Sequence, residues 1–117
     1  MAETSPASGA GIPVLSVVVP CFNEEEVIGI THRTLSETVR ALVSDYEIIY
    51  VDDGSRDRTL DILHDIAAAD PTTRVLSFAR NFGHSSAVSA GLDFSTGRAV
   101  VIIDADLQDP PEVIGRM

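Results

Sequence analysis

The chain has 117 residues, enough for one domain with a modest core and too few for a second folded unit. Its 18 acidic and 8 basic residues leave a formal charge of -10, which repels a nucleic-acid backbone and means that an anionic ligand would need a cation's help. All eight basic residues are arginines, so a Schiff-base lysine and a P-loop lysine are excluded, and the single Cys21 excludes an internal disulfide.

Residues 1–12 are small, polar and rich in Gly and Pro, and predict a flexible tail ahead of a folded unit over residues 13–117. Val14 to Val19 form a β-branched apolar run ended by Pro20, as expected of a strand buried on both faces. Asn23 is placed to cap a helix with Glu24, Glu25 and Glu26 in its first turn. Ile28, Thr31, Leu35, Val39 and Leu42 then recur at helical spacing, and the helix ends near Ser44. Tyr46 to Val51 is a second strand closed by Asp52-Asp53-Gly54-Ser55. Leu60, Leu63, Ile66 and Ala67 mark one face of a second helix, which Asp70-Pro71 stops. Arg74 to Phe78 make a third strand and Ser85 to Phe94 a third helix, rich in Ala, Ser and Gly and so suited to lie close to a sheet. Ala99 to Ile103 form a fourth strand running into Asp104, and Pro110-Pro111-Glu112 opens a fourth helix. No run of about 18 apolar residues predicts a membrane span, and the N-terminus lacks a signal-peptide pattern.

Alternating strands and helices with wholly apolar strands predict an α/β fold: a parallel, doubly wound sheet with helices on both faces, cut short after the fourth strand. Ligands of such sheets sit beyond the carboxyl ends of the strands. Three of the four predicted strands end there in acid-bearing loops, Pro20 to Glu24, Asp52-Asp53 and Asp104 to Asp109. Like charges gathered on one edge do not help folding, and a cation or hydrogen-bonding ligand would relieve them.

Asp104-Ala105-Asp106 places two carboxylates at same-side positions, and Gln108 follows with a neutral oxygen. This hard-oxygen set suits Mg²⁺ or Mn²⁺ shared with a diphosphate. Helix capping by the same acids is the plainer reading. The three histidines lie far apart with no second cysteine, which leaves no zinc spacing. A carboxylate of Asp52-Asp53 can accept from a base N–H or a ribose hydroxyl, or can simply open a turn before a helix capped by Ser55 or Asp57. Phe22 could flank a base and Glu24 could accept from a nucleoside, although capping and dipole complementation also explain the Asn23–Glu26 run. Arg80 could meet a phosphate or stand on the surface, His84 suggests a local structural role, and Cys21 a small buried side chain.

Ser16 to Glu24, Val51 to Asp57, Arg80 to Gly83, Ala90-Gly91-Leu92 and Asp104 to Glu112 together resemble the family 2 glycosyltransferases of GT-A fold. Within them the group of dolichol-phosphate mannosyltransferases and bactoprenol glucosyltransferases is the most similar. The resemblance spans residues 14 to 117. It implies transfer of a sugar, with inversion, from a nucleotide-diphosphate sugar to a polyprenyl phosphate. It further implies that Pro20, Phe22, Glu24, Val51, Asp53, Asp104 and Ala105 bind the nucleotide-sugar, while Asp106 and Gln108 hold Mg²⁺ or Mn²⁺. Phe22 stands where a tyrosine is frequent, so a phenol hydrogen bond is lost there. In the resembling enzymes further catalytic residues and the acceptor site lie in a following half, and membrane attachment comes through segments absent here. A location at the cytoplasmic face of a membrane is expected.

A receiver-type phosphoacceptor module has this length and strand-end acids, but needs a lysine and places its acidic pair on the first strand. A nicotinamide- or flavin-binding module needs a Gly-x-Gly-x-x-Gly turn where this chain has Pro-Cys-Phe-Asn-Glu.

Overall fold

A computed structural model describes residues 13–105. The predicted tail over residues 1–12, the predicted fourth helix, and Asp106 and Gln108 lie outside these residues.

The elements follow in the order β1 (Leu15–Cys21), α1 (Ile28–Leu42), β2 (Tyr46–Asp52), α2 (Thr59–Ala69), β3 (Thr73–Ser77), α3 (His84–Phe94) and β4 (Ala99–Ile102). All strands are parallel, in the order β3-β2-β1-β4. The period-2 alternation of each strand divides the core. Val17, Val19, Ile48 and Tyr50 meet Ile28, Leu35 and Val39 of α1 and Leu63 of α2. Val18, Ile49 and Val51 meet Ala87, Ala90 and Phe94 of α3 on the other face. The expected doubly wound sheet is therefore present. Its cause is the hand of the connections: the chain steps from β1 to β3 in one direction, then crosses back to β4, so right-handed crossovers place α3 opposite α1 and α2.

Two predicted boundaries move for reasons that bear on the site. β1 does not end at Pro20; it continues through Pro20 to Cys21, paired with Val51 and Asp52 of β2. On its other side the ladder to β4 ends at Val18 and Ile102, with Ile103 N donating to the Val18 carbonyl at 3.0 Å. Val18 and Pro20 face the same neighbour, and Pro20 has no N–H to offer it. β1 and β4 therefore part just beyond Val18, at the point where strand order reverses.

The second change is at α1, which starts at Ile28 with Val27 before it rather than at a cap on Asn23. Asn23 instead takes a left-handed conformation, φ 54°, which asparagine tolerates better than most residues. Its side chain accepts from Arg56 N at 2.8 Å and its own N–H donates to Ser55 Oγ at 2.8 Å. Glu24 N donates to Thr59 Oγ1, Glu25 N to Asp57 Oδ2, and Arg58 N to Glu25 Oε1. The loops after β1 and β2 are thus stitched together, with the carboxylates of Glu25 and Asp57 in the seam.

At the opposite end of the sheet, Glu47 accepts from Ser16 Oγ at 2.6 Å, Thr96 N at 2.7 Å and Arg74 Nη1 at 2.8 Å. Burial alone would raise the Glu47 carboxyl. The hydrogen bonds outweigh it and hold the carboxyl below its ordinary value.

Candidate functional site at the switch point

A cavity of about 330 Å³ opens where β1 and β4 diverge. Its walls come from every strand end: Pro20, Cys21, Phe22 and Glu24 after β1, Asp53 after β2, Asn81 after β3, Gly83, His84 and Ala87 at the start of α3, and Asp104 and Ala105 after β4. The parted strands make the opening, and Gly83, His84 and Ala87 at the start of α3 form one side.

Six of the seven residues expected around a nucleotide-sugar, Pro20, Phe22, Glu24, Asp53, Asp104 and Ala105, line this one cavity. Val51 does not. Its side chain is fully buried between β2 and α3 with Val18, Ile49 and Ala87, because position 51 falls on the α3 face one residue before the strand leaves the core. Ala105 is held by its carbonyl, which accepts from Thr31 Oγ1 at 2.6 Å, so α1 fixes the exit of β4.

The two adjacent aspartates after β2 separate by strand alternation. Asp52 falls on the α1 and α2 face, where Oδ2 accepts from Ser55 N at 3.1 Å and Oδ1 is buried without a hydrogen-bond partner. Asp53 falls on the α3 face and is only 4% exposed. Its Oδ1 accepts from Phe82 N at 2.8 Å, and its Oδ2 from Gly83 N and Asn81 Nδ2, both at 3.0 Å. Gly54 permits the turn that brings these loops together. Its φ is +74°, and a Cβ there would overlap the Arg80 carbonyl carbon and lie 2.5 Å from Asn81 N.

Sequence reasoning named the Arg80–His84 segment but missed that Asn81, Gly83, His84 and Ala87 form cavity wall, with Cys21 beside them. The available signal was the strand-end position of that segment, which the other three loops shared. Arg80 itself does not line the cavity; its guanidinium stacks 4.7 Å from the ring centre of the exposed Phe82. His84, for which a local structural role was expected, lies on the wall. Burial, then the charges of Asp52 and Glu24, push the Cys21 thiol up, so it stays neutral.

Among the described residues no group of three or more His, Cys, Asp and Glu side chains is placed to hold a metal ion. The oxygen donors expected from the sequence to hold a divalent ion, Asp106 and Gln108, lie outside the described residues, and Asp104, just before them in the chain, lies on the wall. That set fits a hard divalent ion that takes one or two protein carboxylates and completes its shell from a phosphate ligand, and it does not fit a caged metal. No described helix is long and apolar enough to cross a membrane.

A parallel sheet with an acid-lined cleft at its switch point defines an α/β protein built to bind a small polar ligand at its strand ends. The chain belongs to the glycosyltransferase family 2, whose profile, described as Glycosyl transferase family 2, matches residues 16–117. It is 50% identical over 103 residues to the bactoprenol glucosyl transferase of Shigella phage SfX, covering 88% of this chain and 34% of that protein. It is 48% identical over 102 residues to the uncharacterized glycosyltransferase YkcC of Bacillus subtilis, covering 87% of this chain and 32% of that one. Among solved structures, the mannosyltransferase PcManGT from Pyrobaculum calidifontis, in complex with GDP-Man and Mn²⁺, superposes with a TM-score of 0.72 at 25% identity. That likeness covers 90% of this chain and 31% of the other. The GT-A fold expected from the sequence is therefore the fold observed. The chain spans about a third of the length of the curated relatives it matches.

Proposed function

We propose that these residues bind the donor of a glycosyltransferase that moves a sugar from a nucleoside-diphosphate sugar to a polyprenyl phosphate. The observation that carries the reading is the cavity at the β1–β4 divergence into which Glu24, Asp53 and Asp104 converge from three separate loops. The bactoprenol glucosyl transferase of phage SfX supports the acceptor class, and the GDP-Man and Mn²⁺ complex of PcManGT supports the donor class.

Strand order sets the direction of the ligand. Asp53 and Asn81 follow β2 and β3 on one side of β1, and Asp104 and Ala105 follow β4 on the other. With neighbouring strands about 4.8 Å apart, β2 and β4 are roughly 10 Å apart, a span that accommodates a nucleoside at one end and its diphosphate at the other. Phe22, 40% exposed, supplies a stacking face, and Glu24 supplies an acceptor for a ribose hydroxyl or base N–H. Asp106 and Gln108 would hold Mg²⁺ or Mn²⁺ at the β4 end. A divalent ion, when bound, supplies positive charge for the departing diphosphate. Asp104 and Ala105 orient the diphosphate end so that the anomeric carbon faces the acceptor. An acceptor phosphate oxygen, anionic at neutral pH, forms the new bond to that carbon as the bond to the donor diphosphate breaks, and the centre inverts. The acceptor needs no proton removed, so no base is assigned. The whole enzyme would work at the cytoplasmic face of a membrane.

Calorimetric titration with UDP and GDP, with and without Mn²⁺, tests the reading. Metal-dependent binding is expected for at least one of them, and Asp106→Ala should abolish the metal-dependent part. Metal-dependent binding that survives Asp106→Ala would remove that residue from the metal site. A radiolabelled-sugar transfer assay with a polyprenyl phosphate separates transfer from donor binding without turnover.

A further inference from the structure

Thr31 Oγ1 donates to the Ala105 carbonyl at 2.6 Å, a bond that joins two buried residues 74 positions apart. A hydroxyl within a helix has an acceptor nearer to hand, in the carbonyl one turn back. Thr38 Oγ1 uses it, donating to the Thr34 carbonyl at 3.0 Å, and Ser36 Oγ donates likewise to the Arg33 carbonyl. Thr31 instead sends its hydroxyl across to the chain leaving β4. α1 is a firm base for this tie. The next residue, His32, is hydrogen-bonded to Tyr50 Oη of β2 at 2.8 Å and to Asp70 Oδ2 at the end of α2 at 3.1 Å. The ladder between β4 and β1 has ended by this point, with Ile103 N on the Val18 carbonyl, so α1 takes over where the sheet stops holding the strand.

What the bond controls follows from covalent geometry. A peptide group is planar, so the Ala105 Cα, the Ala105 carbonyl and the nitrogen and Cα of Asp106 share one plane, with the two Cα atoms about 3.8 Å apart. Holding the carbonyl oxygen orients that plane and so sets the point from which the Asp106 side chain starts. Alternation along the same stretch buries Ile103 and Ala105 in the core with Ile28 and Leu35 of α1 and leaves Asp104 on the cavity wall. Resting on the metal site proposed above, we infer that Thr31 is a positioning residue for the divalent ion: from outside the cavity, it sets the peptide that carries Asp106. A carboxylate serving a small hard ion must stand within about 0.5 Å of its working position, and a peptide left to swing spreads it over positions that do not bind. Thr31 does not line the cavity, so its loss acts on the ion through Asp106 and leaves the nucleoside end untouched.

The test is calorimetric titration of the 117-residue chain with UDP and with GDP over a series of Mn²⁺ concentrations, on the parent and on variants. The quantity read is the Mn²⁺ concentration that gives half of the metal-dependent nucleotide binding. Thr31→Val keeps the shape of the side chain and loses the hydroxyl, and this midpoint should rise about 10- to 100-fold. Thr31→Ala makes the same deletion with room for a water to relieve the buried carbonyl, so it reports even if the valine variant does not fold; its midpoint should rise too. Thr31→Ser retains the donor and should keep the parent midpoint. Thr38→Val removes a hydroxyl that serves only its own helix and should also keep it. A purely structural role would lower nucleotide affinity at saturating Mn²⁺ and leave the midpoint where it was. An unchanged midpoint in Thr31→Val or Thr31→Ala overturns the inference, as does an equal rise in Thr31→Ser or Thr38→Val. If the parent binds neither nucleotide in a metal-dependent way, the donor and metal reading itself fails and this inference falls with it.

Discussion

Asn23 and Gly54 both have positive φ, yet they answer to different demands, and substitution separates them. At Gly54 any Cβ collides with the backbone of Arg80 and Asn81, which cannot move without releasing the contacts to Asp53. Gly54→Ala should therefore cost about 3 kcal/mol or more in a urea denaturation series, combining strain with overpacking. At Asn23 the side chain supplies the acceptor for Arg56 N, and the left-handed backbone is a secondary cost. Asn23→Gly should lose the hydrogen bond alone, whereas Asn23→Ala loses it and adds roughly 1 kcal/mol of strain. The glycine variant should consequently be the more stable of the two in the same denaturation series. Helical periodicity in the sequence located the apolar face of α1 but could not show that Asn23 and Glu25 are spent on a seam with the loop after β2. Their partners lie more than thirty positions away along the chain.

Among the elements, α3 decides how open the cleft is. It lies on the sheet at Gly91, where a Cβ would overlap Val18 Cγ1 and come within 3.2 Å of Val51 Cγ2. Gly91→Ala should push the helix away from β1 and β2 at a cost of about 1–3 kcal/mol, offset in part by the better helix propensity of alanine. Shortening the opposing side chain with Val18→Ala should recover part of the loss, so the double-mutant cycle should show coupling of at least about 0.5 kcal/mol. The small-residue composition of residues 85 to 94 predicted this close approach. It could not name Gly91 as the contact, because that depends on the register of α3 against Val18 and Val51.

For the molecule as a whole, acid is the expected weak point. The Glu47 carboxyl is held below its ordinary 4.5 by Ser16, Thr96 and Arg74 despite burial, and Asp70 is held below 3.8 by Thr72 and His32 despite its own burial. Both groups bind protons more tightly in the unfolded chain. Their contribution is therefore complete above about pH 4.5 and is lost as pH falls through the ordinary values toward the lower folded ones. Thermal midpoints should stay level down to about pH 5 and decline steeply below it. Glu47→Gln should lower stability by roughly 2 kcal/mol at pH 7 while making the acid decline shallower, since one of the titrating groups is gone.

The sequence by itself determined the order of elements, the parallel sheet with helices on both faces, and the three acid-bearing loops that share its carboxyl edge. These follow from period, β-branching, turn residues and the hand of βαβ units, all of which act locally or by general rule. Only the tertiary structure decided what each acid does. Strand alternation divides Asp52 from Asp53, the loop seam occupies Asn23, Glu25 and Asp57, and Asp53 is tied to Asn81, Phe82 and Gly83. Pro20 shows the same division. Its place after an apolar run was legible as the end of a strand, but β1 continues through it, and its missing N–H matters because Val18 is the last residue of β1 that β4 pairs with. Those outcomes depend on which groups meet across tens of residues, and a linear pattern of polarity carries no record of such meetings.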